Sequence, residues 1–193
     1  MSTLKFLTFT DVHVSKTNPN SRKGDYCQDI LDKLITIGEL GRKHKVDFFL
    51  FGGDLFNLKA PTRNPHELNS QLITLFKSYP APIYATEGNH DLRGDSYETF
   101  AEQPLNVIYS SGAMIQARNV VKTAKGIKYR VRSFPFSEKP DLTSIAKAKD
   151  NVDLNICLLH LYSTPDGGAR FKTKLQTHAP LITRNRFSSM LEA

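Results

Sequence analysis

Seven polar side chains of kinds that hold metal ions or move protons fall into four short groups in this sequence. Asp11 and His13 stand in "TDVH", Asp54 ends "FFLFGGD", Asn89, His90 and Asp91 are consecutive in "EGNHDL", and His160 closes "NICLLH". Each group follows an apolar or β-prone run, so each is expected where a strand ends. Residues i and i+2 of an extended chain point the same way, which would let Asp11 and His13 address one ion. Glycines at 52 and 53 would let the next turn bring Asp54 to the same place. Carboxylate, amide and imidazole donors together suit a hard or borderline divalent ion such as manganese, iron or zinc better than a thiolate-bound structural zinc. Taken singly, an aspartate at a strand end most often caps a turn, and a histidine near a core is most often hydrogen-bonded there. The ordered set is what points to a shared site.

The elements that must position these groups can be read from hydrophobic period. Residues 4–10 read as a buried strand, and residues 46–54 as a second strand whose unbroken apolar run suits a sheet covered on both faces. Between them Tyr26, Ile30, Leu34, Ile37 and Leu40 share one helical face, with Asp25 as N-cap and Gly41 as stop. Residues 65–79 read as a helix with Leu68, Leu72, Leu75 and Phe76 inward, and residues 83–86 as a third strand. A short helix is expected near residues 96–101, strands at "NVIYS", "AMIQA" and "GIKYRVRSF", a helix at 142–149 and a buried strand at 152–160. A β-α-β-α-β start followed by strands predicts a single α/β domain with mixed sheets. Ligands of such sheets gather beyond the carboxyl ends of the strands, where the four groups would converge.

The chain has 193 residues, 39% hydrophobic and 23% charged, an ordinary globular balance that allows one sizeable core. Its net charge of +7 suits a polyanionic substrate. Nine basic residues lie between Arg118 and Lys149 against two acids, Glu138 and Asp141, which makes either a solvated face or a track for a phosphate backbone. No basic leader precedes an apolar run and no apolar run approaches about 18 residues, so no membrane association and a cytoplasmic location are expected. Cys27 and Cys157 lack a CxxC spacing and read as core thiols.

The ordered set "DVH", "GGD", "GNHD" and His160 resembles the calcineurin-like metallophosphoesterase superfamily, whose signature is D-x-H, GD, GNH followed by an acid, H, and finally G-H-x-H. The resemblance runs from about Leu4 to His160. Within the superfamily, "GDLFNLKAPTR" and "PIYATEGNHD" are similar to the SbcD-type nucleases of DNA double-strand-break repair. It implies an α/β fold, a four-layer αββα sandwich of two mixed β-sheets flanked by helices, with its C-terminal part incomplete. Residues 1–165 would form the catalytic domain without the final G-H-x-H segment, and residues 166–193 a basic atypical tail.

By position, the resemblance implies two divalent ions, best met by manganese, with iron, zinc or magnesium as alternatives. Asp11 and His13 would bind the first ion, Asp54 would bridge both, and Asn89 and His160 would bind the second. His90 would face the scissile phosphate, while Asp91 would either fix the His90 imidazole or cap the segment that follows. The implied function is metal-dependent hydrolysis of DNA as an exonuclease or endonuclease, with DNA, an SbcC-like coiled-coil ATPase and a second copy of the chain as partners. Alternatives are another phosphodiesterase or phosphomonoesterase of the superfamily, or a truncated, inactive DNA-binding or subunit-docking protein.

The pattern breaks after His160, where the only histidine is His178 in "QTHAPL" and no G-H-x-H occurs. A natural truncation, an altered C-terminal sequence or a fold kept without activity would each explain the break. The tail basics Arg170, Lys172, Lys174, Arg184 and Arg186 are expected either in a disordered end or against DNA backbone.

Overall fold

The structure, a computed structural model, describes residues 2–136, 138, 151–164 and 181–183. Four strands, β1 (Phe6–Phe9), β2 (Phe48–Phe51), β3 (Ile83–Ala85) and β4 (Ile115–Gln116), lie side by side in chain order. All three pairings are parallel. Each crossover carries a helix: α1 (Tyr26–His44), α2 (His66–Lys77) and α3 (Pro104–Ser110). Right-handed crossovers that always advance in one direction put every helix on the same face of a sheet. Accordingly Leu34, Leu72 and Ile108, one from each helix, share a cluster with Phe49, Phe51, Ile83 and Ala85.

The other face is left for a second sheet. Phe48, Leu50 and Tyr84 alternate with the helix-facing residues and pack on Tyr129, Val131 and Leu158. Those three belong to the sheet of β5 (Val120–Ala124), β6 (Ile127–Phe134) and β7 (Leu154–Leu159), in which β5 is antiparallel and β7 parallel to β6. The Phe48 and Tyr129 rings stack at 4.8 Å, and the Tyr84 and Tyr129 hydroxyls meet at 3.2 Å, so the layers are joined by aromatic surface with its polar tips paired. A further pair, β8 (Tyr162–Thr164) and β9 (Leu181–Thr183), is parallel, and β9 falls within the stretch expected as a basic tail.

The architecture is thus α/β, with two sheets face to face and helices outside. Among the described residues only the second sheet is mixed, because every step across the first is made by a helical crossover. The helix expected at 142–149 and the tail basics Arg170, Lys172, Lys174, Arg184 and Arg186 lie outside the described residues.

Several boundaries differ from expectation for identifiable reasons. Asp25 does cap α1, accepting from the Gln28 N–H at 3.0 Å, but Gly41 does not stop it. A Cβ there would lie 2.1 Å from the Phe49 ring, so Gly41 lets the helix approach the sheet, and α1 ends at Lys45, whose φ is 52°. "NVIYS" is helical rather than extended. Pro104 opens α3, and Leu105 and Ile108, three apart, are both buried. β5 was not anticipated, since its middle residues are exposed and carry no apolar alternation. Among the described residues, no helix is long and apolar enough to cross a membrane.

Candidate metal centre

β1, β2 and β3 leave their sheet at the same level, with Phe9 opposite Phe51 and Phe51 opposite Ala85. Beyond it the first two loops zip together. Gly52 N–H donates to the Phe9 carbonyl at 2.9 Å, Asp11 to Gly53 at 3.0 Å, His13 to Asp54 at 3.0 Å and Val14 to Leu55 at 2.9 Å. The Tyr26 hydroxyl at the start of α1 donates to the His13 carbonyl at 2.9 Å. The segment 11–13 is not extended as expected: Asp11, His13 and Asp54 take φ values of 53°, 50° and 60°. This left-handed conformation costs most residues roughly 1–2 kcal/mol, with Asp, Asn and His the better tolerated non-glycine types. The zipper holds it in place. His13 Nε2 then stands 3.5 Å from Asp54 Oδ2 and 3.8 Å from Asp11 Oδ1.

The third loop comes in over Asp54 by close backbone contact. A Cβ on Gly88 would lie 2.1 Å from Asp54 Oδ1, and one on Gly53, whose φ is 101°, would lie 2.7 Å from Gly88 N. Asp91 fastens the two loops. Its buried carboxylate accepts from the N–H groups of Asp54 at 2.8 Å, Leu55 at 3.0 Å, Phe56 at 3.3 Å and Gly88 at 3.1 Å. Burial pushes this carboxyl up to about 7, against the pull of those donors and with the Asp54 charge adding to the rise. Asp91 therefore faces backbone rather than the His90 ring. The ring is held instead by the Asn57 carbonyl, 2.8 Å from Nδ1.

Two clusters of donor atoms, each within 4.8 Å of one another, share Asp54: His13 with His90, and Asp11 with His160. Asn89 Oδ1 stands 3.3 Å from His160 Nε2. All seven residues singled out in the sequence thus lie at or against one carboxylate, with six offering donor atoms and Asp91 holding the frame. Asp11 and His13, implied to share an ion, approach to 3.8 Å, and His90, implied to lie outside the ion sites, also offers a donor atom beside His13 and Asp54.

The donor set suits divalent cations. A carbonyl only accepts, so the Asn57 and Gly52 carbonyls, each 2.8 Å from a histidine Nδ1, assign a proton to that nitrogen in His90 and His160. The His160 Nε2 is left as a ligating position, the arrangement common to metal-bound histidines, and the His90 Nε2 is left turned toward the same cluster, open to a cation or to a proton. Asp54 Oδ2 has His13 Nε2 and His160 Nε2 each at 3.5 Å, too far for a good hydrogen bond and close enough to share a cation. Asp54 is only 3% exposed. Burial alone would raise its pKa, but the His160 imidazole and the His90 N–H hold it below the usual carboxylate range. Burial works against charge on His160 as well, yet Asp54 outweighs it and raises that pKa. A buried ionised carboxylate ringed by nitrogen and oxygen acceptors calls for positive charge.

The sequence reading missed the supports of this site. The Asn57 and Gly52 carbonyls leave no trace in residue type, and three of the four partners of Asp91, namely Asp54, Leu55 and Phe56, lie more than thirty positions away. Tyr26 was visible only as an apolar helix position.

A family model described as calcineurin-like phosphoesterase matches residues 4–186. The chain belongs to this family. As a calcineurin-like phosphoesterase it is of a hydrolase class that binds divalent metals. Among curated relatives, the DNA double-strand break repair protein Mre11 of Saccharolobus solfataricus is 27% identical over 157 residues, covering 77% of this chain and 40% of that protein. The Mre11 protein of Archaeoglobus fulgidus is 27% identical over 88 residues, covering 46% of this chain and 19% of that one. The chain spans less than half the length of these relatives. Among solved structures, TT1561 of Thermus thermophilus is 15% identical, with 94% of this chain and 81% of that one covered at a TM-score of 0.48.

Proposed function

We propose that this calcineurin-like phosphoesterase is a divalent-metal-dependent phosphodiesterase that cleaves DNA as an exonuclease or endonuclease. The observation that carries the reading is Asp54, one buried carboxylate common to two donor clusters, which suits a bridge between paired ions. Asp11, His13, Asp54, Asn89 and His160 hold the ions, with manganese the metal of choice. The pair supplies Lewis acidity to a phosphoryl oxygen and to the attacking water. His90, held through Nδ1 by the Asn57 carbonyl, faces the phosphate and, when protonated at Nε2 as well, passes that proton to the departing sugar oxygen as the bond to phosphorus breaks, leaving a phosphate monoester and a free hydroxyl. Asp91 keeps the loops that carry Asp54 and His90 in register.

DNA as substrate is supported by the two relatives named for double-strand break repair and by the net charge of +7. The proposed catalytic unit is residues 1–165, with residues 166–193 as a basic tail whose β9 pairs with β8. A coiled-coil ATPase subunit and a second copy of the chain are the proposed partners, and the cytoplasm the proposed location. The absence of G-H-x-H from the sequence favours one second reading, a DNA-binding or subunit-docking protein that keeps the fold without turnover.

Cleavage of linear duplex and single-stranded DNA, bis(4-nitrophenyl) phosphate and 4-nitrophenyl phosphate by manganese-loaded protein separates the readings. Metal-dependent cleavage of DNA and of the diester is expected. Preference for the monoester would make the chain a phosphomonoesterase. No turnover and near-zero bound manganese, with salt-sensitive DNA binding intact, would support the docking reading.

A further inference from the structure

Glu87 stands where β3 leaves its sheet. Up to that point the ladder holds the backbone, with Ala117 N–H donating to Ala85 at 3.0 Å and Thr86 N–H to Phe51 at 3.1 Å. From Glu87 onward the side chain takes over. Its carboxyl, 0% exposed, accepts from Gln116 Nε2 at 2.6 Å. The same nitrogen meets the Tyr97 hydroxyl, the Tyr97 ring carries the Arg118 guanidinium at 4.4 Å, and Arg118 pairs with Glu138 near the surface. The Glu87 carbonyl accepts from Phe136 N–H at 3.1 Å, and the Phe136 ring stands 6.2 Å from that of His160. One residue thus ties the edge strand β4, the end of the second sheet and the turn that carries Asn89 and His90.

Stability does not call for an acid here. Burying a carboxyl is costly, and an apolar side chain of similar shape is often neutral or stabilising in its place. Among the described residues Glu87 Oε2 meets no partner at good hydrogen-bond geometry, with the buried Tyr109 hydroxyl as its polar neighbour, so the cost is only partly offset. What an apolar side chain could not supply is a fixed acceptor at a fixed distance from β4.

We infer that Glu87 is a positioning residue for the metal centre: its carboxyl, anchored through Gln116 to Tyr97, sets where Asn89 and His90 stand over Asp54, and its carbonyl sets Phe136 against His160. The inference rests on the metal-centre reading above.

The test is manganese affinity by titration calorimetry on the intact chain, with thermal melting alongside. Glu87→Leu is expected to melt no lower than the parent yet to bind manganese about 10–100-fold more weakly, as for loss of a residue that orients ligands. Glu87→Gln keeps a carbonyl oxygen for Gln116 and is expected to stay within about threefold. Tyr97→Phe touches no ligand and is expected to weaken binding by about two- to threefold. Unchanged affinity in Glu87→Leu overturns the inference. If that variant fails to fold, unchanged affinity in Tyr97→Phe overturns it instead. A parent chain that binds no manganese overturns the metal-centre reading and this inference together, whereas a binding parent with indifferent variants overturns the inference alone.

Discussion

The two clusters that meet at Asp54 are assembled differently. His13 and His90 reach it from the loops after β1 and β3, which flank β2 and its Asp54 in the parallel sheet, and a backbone zipper and the Asp91 carboxylate lock those loops. His160 arrives from the end of β7, across the interface where Phe48 and Tyr84 meet Tyr129. One half of the site depends on a single sheet, while the other depends also on how two sheets pack. Shared geometry at Asp54 therefore conceals unequal foundations.

The largest effects should abolish the distinction. Asp54→Asn removes the charge common to both clusters and is expected to weaken manganese binding by more than about 100-fold, by calorimetry. Gly88→Ala keeps every donor but drives a Cβ to 2.1 Å from Asp54 Oδ1, and should match it. Normal binding by Gly88→Ala would show that the loops part freely. Asp91→Asn turns an amide toward backbone N–H groups and should cost about 1–3 kcal/mol in urea unfolding while harming both clusters.

A smaller perturbation should separate them. Tyr129→Leu removes the stacking on Phe48 and the contact with the Tyr84 hydroxyl, at a cost of about 1–2 kcal/mol. Of two manganese-binding events only the one that needs His160 should weaken, and equal weakening of both would erase the contrast. The smallest effect concerns Cys157 on β7, whose thiol burial pushes up to about 11 although Arg132 pulls it down. Raising the pKa removes thiolate at neutral pH, so alkylation by iodoacetamide at pH 8 should run at under about one hundredth of the rate of free cysteine. It should climb about tenfold per pH unit toward 11. Tyr129→Leu should speed it if the second sheet loosens.

Both halves were legible in sequence at their strand ends, because apolar runs ending in Asp, Asn or His are local signals. Asp11, Asp54, Asn89 and His160 were placed at strand ends by pattern alone. What pattern could not carry was contact between distant backbones. Gly41 looks like a helix stop until the Phe49 ring is placed beneath it. "NVIYS" has β-branched residues, but Pro104 ahead of it and the burial of Leu105 and Ile108 decide for a helix. Asp91 was expected at the His90 ring or at a cap, and its partners Asp54, Leu55 and Phe56 become neighbours only when the loops of β2 and β3 close together.

The left-handed backbone at Asp11, His13 and Asp54 sets survival at high temperature against chemistry. Glycine at any of them would relieve roughly 1 kcal/mol of conformational cost while deleting a donor. A population of variants sorted only for resistance to heat should therefore accumulate glycine at these positions, and each hardier descendant would be poorer in metal than its parent.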